Sequence, residues 1–261
     1  MHKLHPSSIG KIMTDPPSID KSLLTEAEFE RLGVVQTVAE IQALIKKKTK
    51  TDEDQEVLQF FWDRSLSAGA RTYLKAIAKG ISYDFEKELD VKAFAKGKAC
   101  EEPAIALVNS VYFKRYQKHV GRIETDLMSG ECDILAADHI RDIKCAWNLD
   151  TFPAFIEDAH TSDYEYQLRA YMHLYNRDKA FLDWCLVDTP DELIKWEPEN
   201  LHKVSHIEPC LRVTTVEYKR DFCIEAKMLI RCQEAQLYIE RMKRQILIDH
   251  NYEYEDLRHA A

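Results

Sequence analysis

Two aspartates and a lysine are the residues of this chain best placed to do chemistry together. They lie in Gly130-Glu131-Cys132-Asp133-Ile134-Leu135-Ala136-Ala137-Asp138-His139-Ile140-Arg141-Asp142-Ile143-Lys144, which reads as two short apolar strands around a turn. With the turn centred on Ala137 and Asp138, residues whose numbers add to 275 pair, and Asp133 falls opposite Asp142. Opposed residues project to one sheet face with Cβ atoms ~4.5–5.5 Å apart. Lys144, two positions beyond Asp142, shares that face. Two facing carboxylates repel, and a fold tolerates them if one is protonated, if both reach water, or if a cation sits between them. A divalent cation with oxygen ligands fits the last case. Magnesium takes few protein carboxylates and keeps several waters, and a lysine beside it can orient a water or stabilise phosphate charge.

The same residues allow a plainer reading. Glu131 also pairs with Lys144 on the 275 rule, so the lysine could serve an ordinary surface ion pair, and Ala-Asp is not a favoured hairpin turn. Gln167 and Tyr171, four apart on a helix, share a face. They either point into a polar cleft or divide between surface and core. Glu101, near a helix start in Gly97-Lys98-Ala99-Cys100-Glu101, is either a further metal carboxylate or solvent-facing. His119, His139, His160 and His173 lack metal-ligand spacing; His139 sits in the hairpin beside the carboxylates. Lys114, Arg115, Lys118 and Arg122 are a solvated helix end or a contact for a phosphate backbone. Trp147 is either buried or free to stack on a base.

The elements that must position these groups follow from periodicity and capping. Thr25-Glu26-Ala27-Glu28 is a capping box opening a helix to about Lys48. Further helices are expected over Gly69–Lys79 and from Gly97 to about Lys118. Arg122–Leu127, Glu131–Ala136 and His139–Ala146 read as three antiparallel strands. A box at Ser162-Asp163-Tyr164-Glu165 opens a helix to about Asn176, and Ala180–Val187 is a strand. Thr189-Pro190-Asp191-Glu192 opens another helix. Ile207–Val216 is a strand, and a helix follows to about Ile248, its stripe Ile224, Met228, Arg231, Ala235, Tyr238 and Met242 serving packing. This order predicts an α/β (α+β) core with a helical insertion near the front.

Composition bounds the rest. The 261 residues are 45% hydrophobic, with only 7 Gly and 8 Pro, which excludes a low-complexity chain. A net charge of -9 does not by itself suggest nucleic-acid binding. The seven cysteines form no CxxC pair and are expected to be reduced thiols. An iron–sulfur cluster would need four of them to converge. No signal peptide and no membrane span is read, so a soluble, cytoplasmic protein without membrane association is expected.

Taken in order, Glu101, Asp133, Asp142-Ile143-Lys144 and Gln167-Leu168-Arg169-Ala170-Tyr171 resemble the PD-(D/E)xK nuclease pattern with the helix motif of its RecB-like branch. Ser7-Ser8-Ile9-Gly10-Lys11-Ile12-Met13-Thr14 and Gly97-Lys98-x-x-Glu101-x-x-Ala104 resemble the phage lambda exonuclease and YqaJ-like subgroup. The resemblance runs from about Ser7 to Val187, interrupted near Leu23 to Leu66. Cys132 stands where the family name has proline, and Asp142 replaces the commoner glutamate.

The resemblance implies a restriction-endonuclease-like core, a central mixed sheet flanked by helices, in one domain over 1–261 with a helical insertion at 23–66. It implies a Mg²⁺-dependent (or Mn²⁺-dependent) exonuclease, with one or two ions, that digests linear double-stranded DNA from a free 5′ end in phage recombination. Asp133, Asp142, Glu101 and the Ile143 backbone carbonyl would hold metal, and Lys144 would act on the nucleophilic water. Gln167 and Tyr171 would shape the site, and Ser7, Ser8 and Lys11 would meet the substrate phosphate. A homotrimer around DNA, a single-strand annealing partner and a phage-encoded protein in a bacterial cytoplasm are implied likewise. The upstream segment that carries an Arg for the terminal phosphate in lambda-like enzymes is expected to be lacking, which sets 5′-end selection apart. The competing readings are an endonuclease of the same superfamily, which would cut closed circles, and a DNA-binding module without catalysis.

Overall fold

The computed structural model describes residues 1–85 and 92–250. In chain order its regular elements are α1 (Ile9–Met13), α2 (Glu26–Leu32), α3 (Val38–Lys46), α4 (Asp52–Arg64), α5 (Ala68–Ser82), α6 (Lys92–Ala99), α7 (Glu101–Tyr112), β1 (Ile123–Glu124), β2 (Ser129–Gly130), β3 (Ile134–Leu135) and β4 (Ile140–Cys145). There follow α8 (Ile156–Ala159), α9 (Ser162–Tyr175), β5 (Lys179–Cys185), α10 (Asp191–Ile194), β6 (Val213–Lys219) and α11 (Phe222–Asp249). They fall into two compact units: Met1–Lys3, Lys11–Glu86 and Ala226–Ala261 form one, Leu4–Gly10 and Lys87–Glu225 the other.

The first unit is helical and contains the whole stretch 23–66. The single helix expected from Thr25 to about Lys48 is two. Gly33 ends α2 in the left-handed region, φ 65°, and Thr37 starts α3 with a reciprocal capping box to Glu40. Leu23, Phe29, Ile41 and Phe61 form the unit's apolar core. Met228, Arg231 and Ala235 of α11 are fully buried. Arg231 is satisfied by the carbonyls of Met13 (2.8 Å) and Asp63 (3.2 Å) and by the Asp15 carboxylate (2.7 Å). A buried guanidinium needs such a set of acceptors.

The second unit is a mixed sheet in the order β3-β4-β5-β6, with β4 parallel to β5 and the other pairs antiparallel, flanked by helices. α7 packs on one face, where Ala104, Ile105 and Val108 meet Ile143 and Cys185. α9, the crossover between the parallel strands, packs on the other. The expected three-stranded meander divides: β1 pairs with β2 in a separate two-stranded sheet, and only β3 continues into β4. The helix expected from Gly97 to Lys118 also divides, α7 closing at Phe113 with φ 54°. Thr161, one residue earlier than expected, caps α9. The Thr189 hydroxyl caps no helix and instead meets His202 and the Trp147 carbonyl. Wholly buried Lys96 donates to the carbonyls of Trp147 (3.0 Å) and Val187 (2.9 Å), tying α6 to the ends of β4 and β5. All seven cysteines are free thiols. Among the described residues no helix is long and apolar enough to cross a membrane.

Gly10 is fixed by contact. A Cβ there would lie 2.4 Å from Asp163 Oδ1 and 2.7 Å from Asp163 Cα, whereas a Cβ at helical Gly97 meets nothing within 4 Å. Urea unfolding should show Gly10→Ala destabilised by about 1–3 kcal/mol and Gly97→Ala stabilised by up to about 1 kcal/mol.

Candidate active site

The hairpin register is Ile134↔Arg141 and Leu135↔Ile140, and the Ala136 amide donates to the His139 carbonyl at 2.9 Å. These pairs follow the 275 rule, and one step further Asp133 lies across from Asp142. The two carboxylates are held differently. Asp133 Oδ2 accepts the Ile143 amide proton at 2.6 Å. A strand residue's N–H and C=O leave on the same side, so the Ile143 carbonyl faces the Asp133 side as well. Asp142 is 2% exposed, and its Oδ1 accepts from Gln167 Nε2 at 2.9 Å. Lys144 Nζ lies 2.6 Å from Asp142 Oδ2 in an ion pair. The contact is poorly aligned, so that buried oxygen has charge beside it and no well-formed hydrogen bond.

Burial pushes the Asp133 carboxyl up to about 7, with the Asp142 charge adding to the rise and Lys144 and the Ile143 amide opposing it. Burial works against the Lys144 ammonium, but the charges of Asp142 and Asp133 outweigh it and raise its pKa. The ammonium also lies 5.0 Å from the Tyr164 ring centroid.

α9 brings Gln167 and Tyr171 to the same place because its buried stripe faces the sheet. Both are buried, so the alternative of a surface Gln beside a core Tyr does not hold. Burial and the nearby Asp142 charge raise the Tyr171 phenol well above its ordinary range. Glu101 opens α7 and is ion-paired with Lys118 at 2.5 Å, and its charge contributes to the rise at Asp133. Ser7 and Ser8 form a one-turn 3-10 helix (Pro6–Ser8) beside the site. Gly130 leaves room for that turn: a Cβ there would sit 2.5 Å from Pro6 Cγ and 3.1 Å from Tyr171 Cε1. Ser8 Oγ donates to the His5 carbonyl at 2.7 Å, and Ser7 Oγ lies 2.8 Å from His5 Nδ1. Lys11 belongs to the first unit, its ammonium 4.7 Å above the Tyr73 ring.

Two groups escape a reading of the sequence. His5 caps the serine turn, and burial lowers its pKa, assisted by the charges of Arg122 and Lys144. Its position two residues before Ser7 is the signal it offers. Arg141 and Asp183 form a buried ion pair at 2.7 Å on the sheet face away from Asp142, with Thr215 donating to Asp183 at 2.5 Å. Strand alternation puts His139 on that same far face, where it meets Tyr116 Oη at 3.2 Å. Trp147 is half-buried, its indole N–H donating to Glu197 at 2.7 Å.

Among the described residues no three His, Cys, Asp or Glu side chains form a ready-made metal cage. Magnesium does not need one: it is ordinarily held by one or two carboxylates, substrate phosphates and water. Two facing carboxylates, one oxygen of them buried without a proper donor, fit such an ion.

A mixed sheet flanked by helices, with acids on adjacent strands, is a nuclease-like architecture. No protein-family model matches the sequence, and no curated protein matches it. Solved structures do. The chain is similar to a phage-related exonuclease from Haemophilus somnus 129PT, with 25% identity and a TM-score of 0.73, over 94% of this chain and 96% of that one. It is similar in fold to the alkaline exonuclease LHK-Exo from Laribacter hongkongensis, with 16% identity and a TM-score of 0.52, over 70% of this chain and 89% of that one. LHK-Exo in complex with dAMP gives 14% identity and a TM-score of 0.55, over 71% of this chain and 87% of that one. The similarity to the phage-related exonuclease supports a nuclease function, and the two LHK-Exo structures support the fold.

A carboxyl raised on folding makes the folded state less stable as pH climbs from the ordinary carboxylate range toward about 7. In metal-free buffer, chemical denaturation should therefore show stability falling over that window, and Asp133→Asn should flatten the fall. Superimposable profiles for the two proteins would remove this account of the acid pair.

Proposed function

We propose that this chain is a metal-dependent exodeoxyribonuclease acting on linear double-stranded DNA. The observation that carries the reading is the pair Asp133 and Asp142, facing across β3 and β4 with Lys144 and Gln167 on the buried one. Asp133, Asp142 and the Ile143 carbonyl would hold a magnesium or manganese ion, with Glu101 able to join if it releases Lys118. Such an ion, when bound, polarises a phosphoryl oxygen and lowers the pKa of water.

The chain's own groups do the rest. Gln167 holds Asp142 in one orientation, leaving its second oxygen toward Lys144. The Lys144 ammonium, kept protonated by its two acidic neighbours, orients the attacking water and offsets charge gathering on the phosphate. The serine turn offers the Ser7 hydroxyl to a phosphate oxygen, while Ser8 holds the turn closed through its bond to His5. Tyr171 walls the site beside Gly130. DNA as the substrate draws support from the exonuclease neighbours and from the LHK-Exo complex with dAMP. Polarity from 5′ to 3′, a trimer around the duplex and an annealing partner in phage recombination rest on the lambda exonuclease resemblance, as does the insertion at 23–66.

The test is digestion of end-labelled linear duplex in Mg²⁺ or Mn²⁺, with a covalently closed circle alongside. Nucleotides should be released from the linear DNA and the circle left intact. Asp133→Asn and Asp142→Asn should abolish release, and Lys144→Ala should slow it by roughly 10²–10³-fold. Full activity in Asp142→Asn would reject the site, and cutting of the circle would make the protein an endonuclease.

A further inference from the structure

The segment that follows α7, from Phe113 to Arg122, carries Lys114, Arg115, Lys118 and Arg122 and no acidic residue, on a chain of net charge -9. A basic run is ordinarily a solvated face, free to move. This one is fastened. Phe113 turns the chain in the left-handed region, φ 54°, an unusual conformation for a bulky residue. Asn109 then grips both backbone groups of Tyr116, its Oδ1 accepting the amide at 2.6 Å and its Nδ2 donating to the carbonyl at 2.9 Å. Further on, the His119 amide donates to the Asp133 carbonyl at 2.7 Å. An irregular segment is thus pinned at two points, the second being the backbone of a proposed metal-binding residue.

The pinning leaves a cavity of ≈ 330 Å³ lined by Arg115, Gln117, Lys118 and His119 together with Ile134 and Leu135 of β3. Its lining is cationic and rich in donors, and nothing acidic contributes. Lys118 is already matched by Glu101. Lys114 and Arg115 are exposed, and neither has a carboxylate within ion-pair distance among the described residues. Unmatched cations on a held backbone, beside a phosphodiesterase centre, suit a repeating polyanion.

We infer that Phe113–Arg122 is the track for the sugar–phosphate backbone of the DNA, with one phosphate group seated in the cavity against Arg115 and its neighbour against Lys114. The inference rests on the nuclease reading. It assigns the run a positioning role: the track is tied to Asp133, so a strand lying on it is registered against the acid pair. Contacts of this kind carry no sequence preference.

The test is equilibrium binding of a fluorescent DNA hairpin with one free duplex end, without metal so that nothing is cut, over a series of salt concentrations. Arg115→Ala should weaken binding several-fold and lower the slope of log K against log salt by about one, and Lys114→Ala/Arg115→Ala by about two. Arg115→Lys should restore the slope. Lys48→Ala, which removes an exposed charge in the first unit, should change neither quantity. A slope unchanged in the double variant, or no binding by the unaltered chain, overturns the inference. DNA binding with the predicted slopes but no metal-dependent cleavage overturns the nuclease reading and leaves the track in place.

Discussion

The structure turns on two carboxylates that face each other in a place with little water. At ~5 Å and an effective dielectric of ~20, two like charges repel by about 3 kcal/mol. Hydrogen bonds to charged groups return about 1.5–3 kcal/mol each, and the fold supplies one to each partner: the Ile143 amide for Asp133 and the Gln167 amide for Asp142. Lys144 adds a positive charge on Asp142. These terms are of the same size as the repulsion, so the pair is tolerated rather than favoured. That is the condition in which a proton or a divalent ion has most to offer.

The opposite face of the same strands is built as an answer. Arg141, next to Asp142, points to the α7 side and is matched by the fully buried Asp183. A buried ion pair contributes little net stability when intact. Its value here lies in register. A slip of β4 by one residue would carry Arg141 to the α9 face and turn Asp142 toward the apolar packing of Ala104, Ile105, Val108 and Cys185. Both misplaced charges would be buried without partners, so the chemistry is kept on one face by penalties on the other.

The local parts of this arrangement are legible in sequence. Opposed strands obey simple arithmetic, which is why the 275 rule finds Asp133 across from Asp142. Helical spacing is equally regular, which is why Gln167 and Tyr171 can be placed on one face. What escapes is set by contacts distant in sequence. The break at Gly33 is the exception, since the glycine stop and the capping box Thr37-Val38-Ala39-Glu40 are both local signals carried by the sequence. The split of the meander depends on β4 pairing with β5 after a crossover through α9, leaving β1 and β2 to pair by themselves. Asp183 looks like an ordinary polar residue in a strand until Arg141 is placed beside it. His5 offers only its place two residues before Ser7, while the burial and the Arg122 and Lys144 charges that lower its pKa come from distant parts of the chain.

The pieces of the site also differ in how much chain separates them. Asp142 and Gln167 are 25 residues apart, within one strand–helix–strand unit, so bringing them together closes a short loop. The serine turn arrives by a longer route: Leu4 is bridged to Met128, with the Leu4 amide donating to the Leu127 carbonyl and its own carbonyl accepting from Ser129. That bridge spans most of the first half of the chain, and the turn it carries is held by contacts distant in sequence, with Leu4, Ser8, Ile9 and Met128 all buried. A molecule without that bridge would keep the hydrogen bonds from Ile143 to Asp133 and from Gln167 to Asp142 and lose the turn of His5, Ser7 and Ser8. Amide exchange at Leu4 and Ser129 thus reports on a different event from exchange at Ile143.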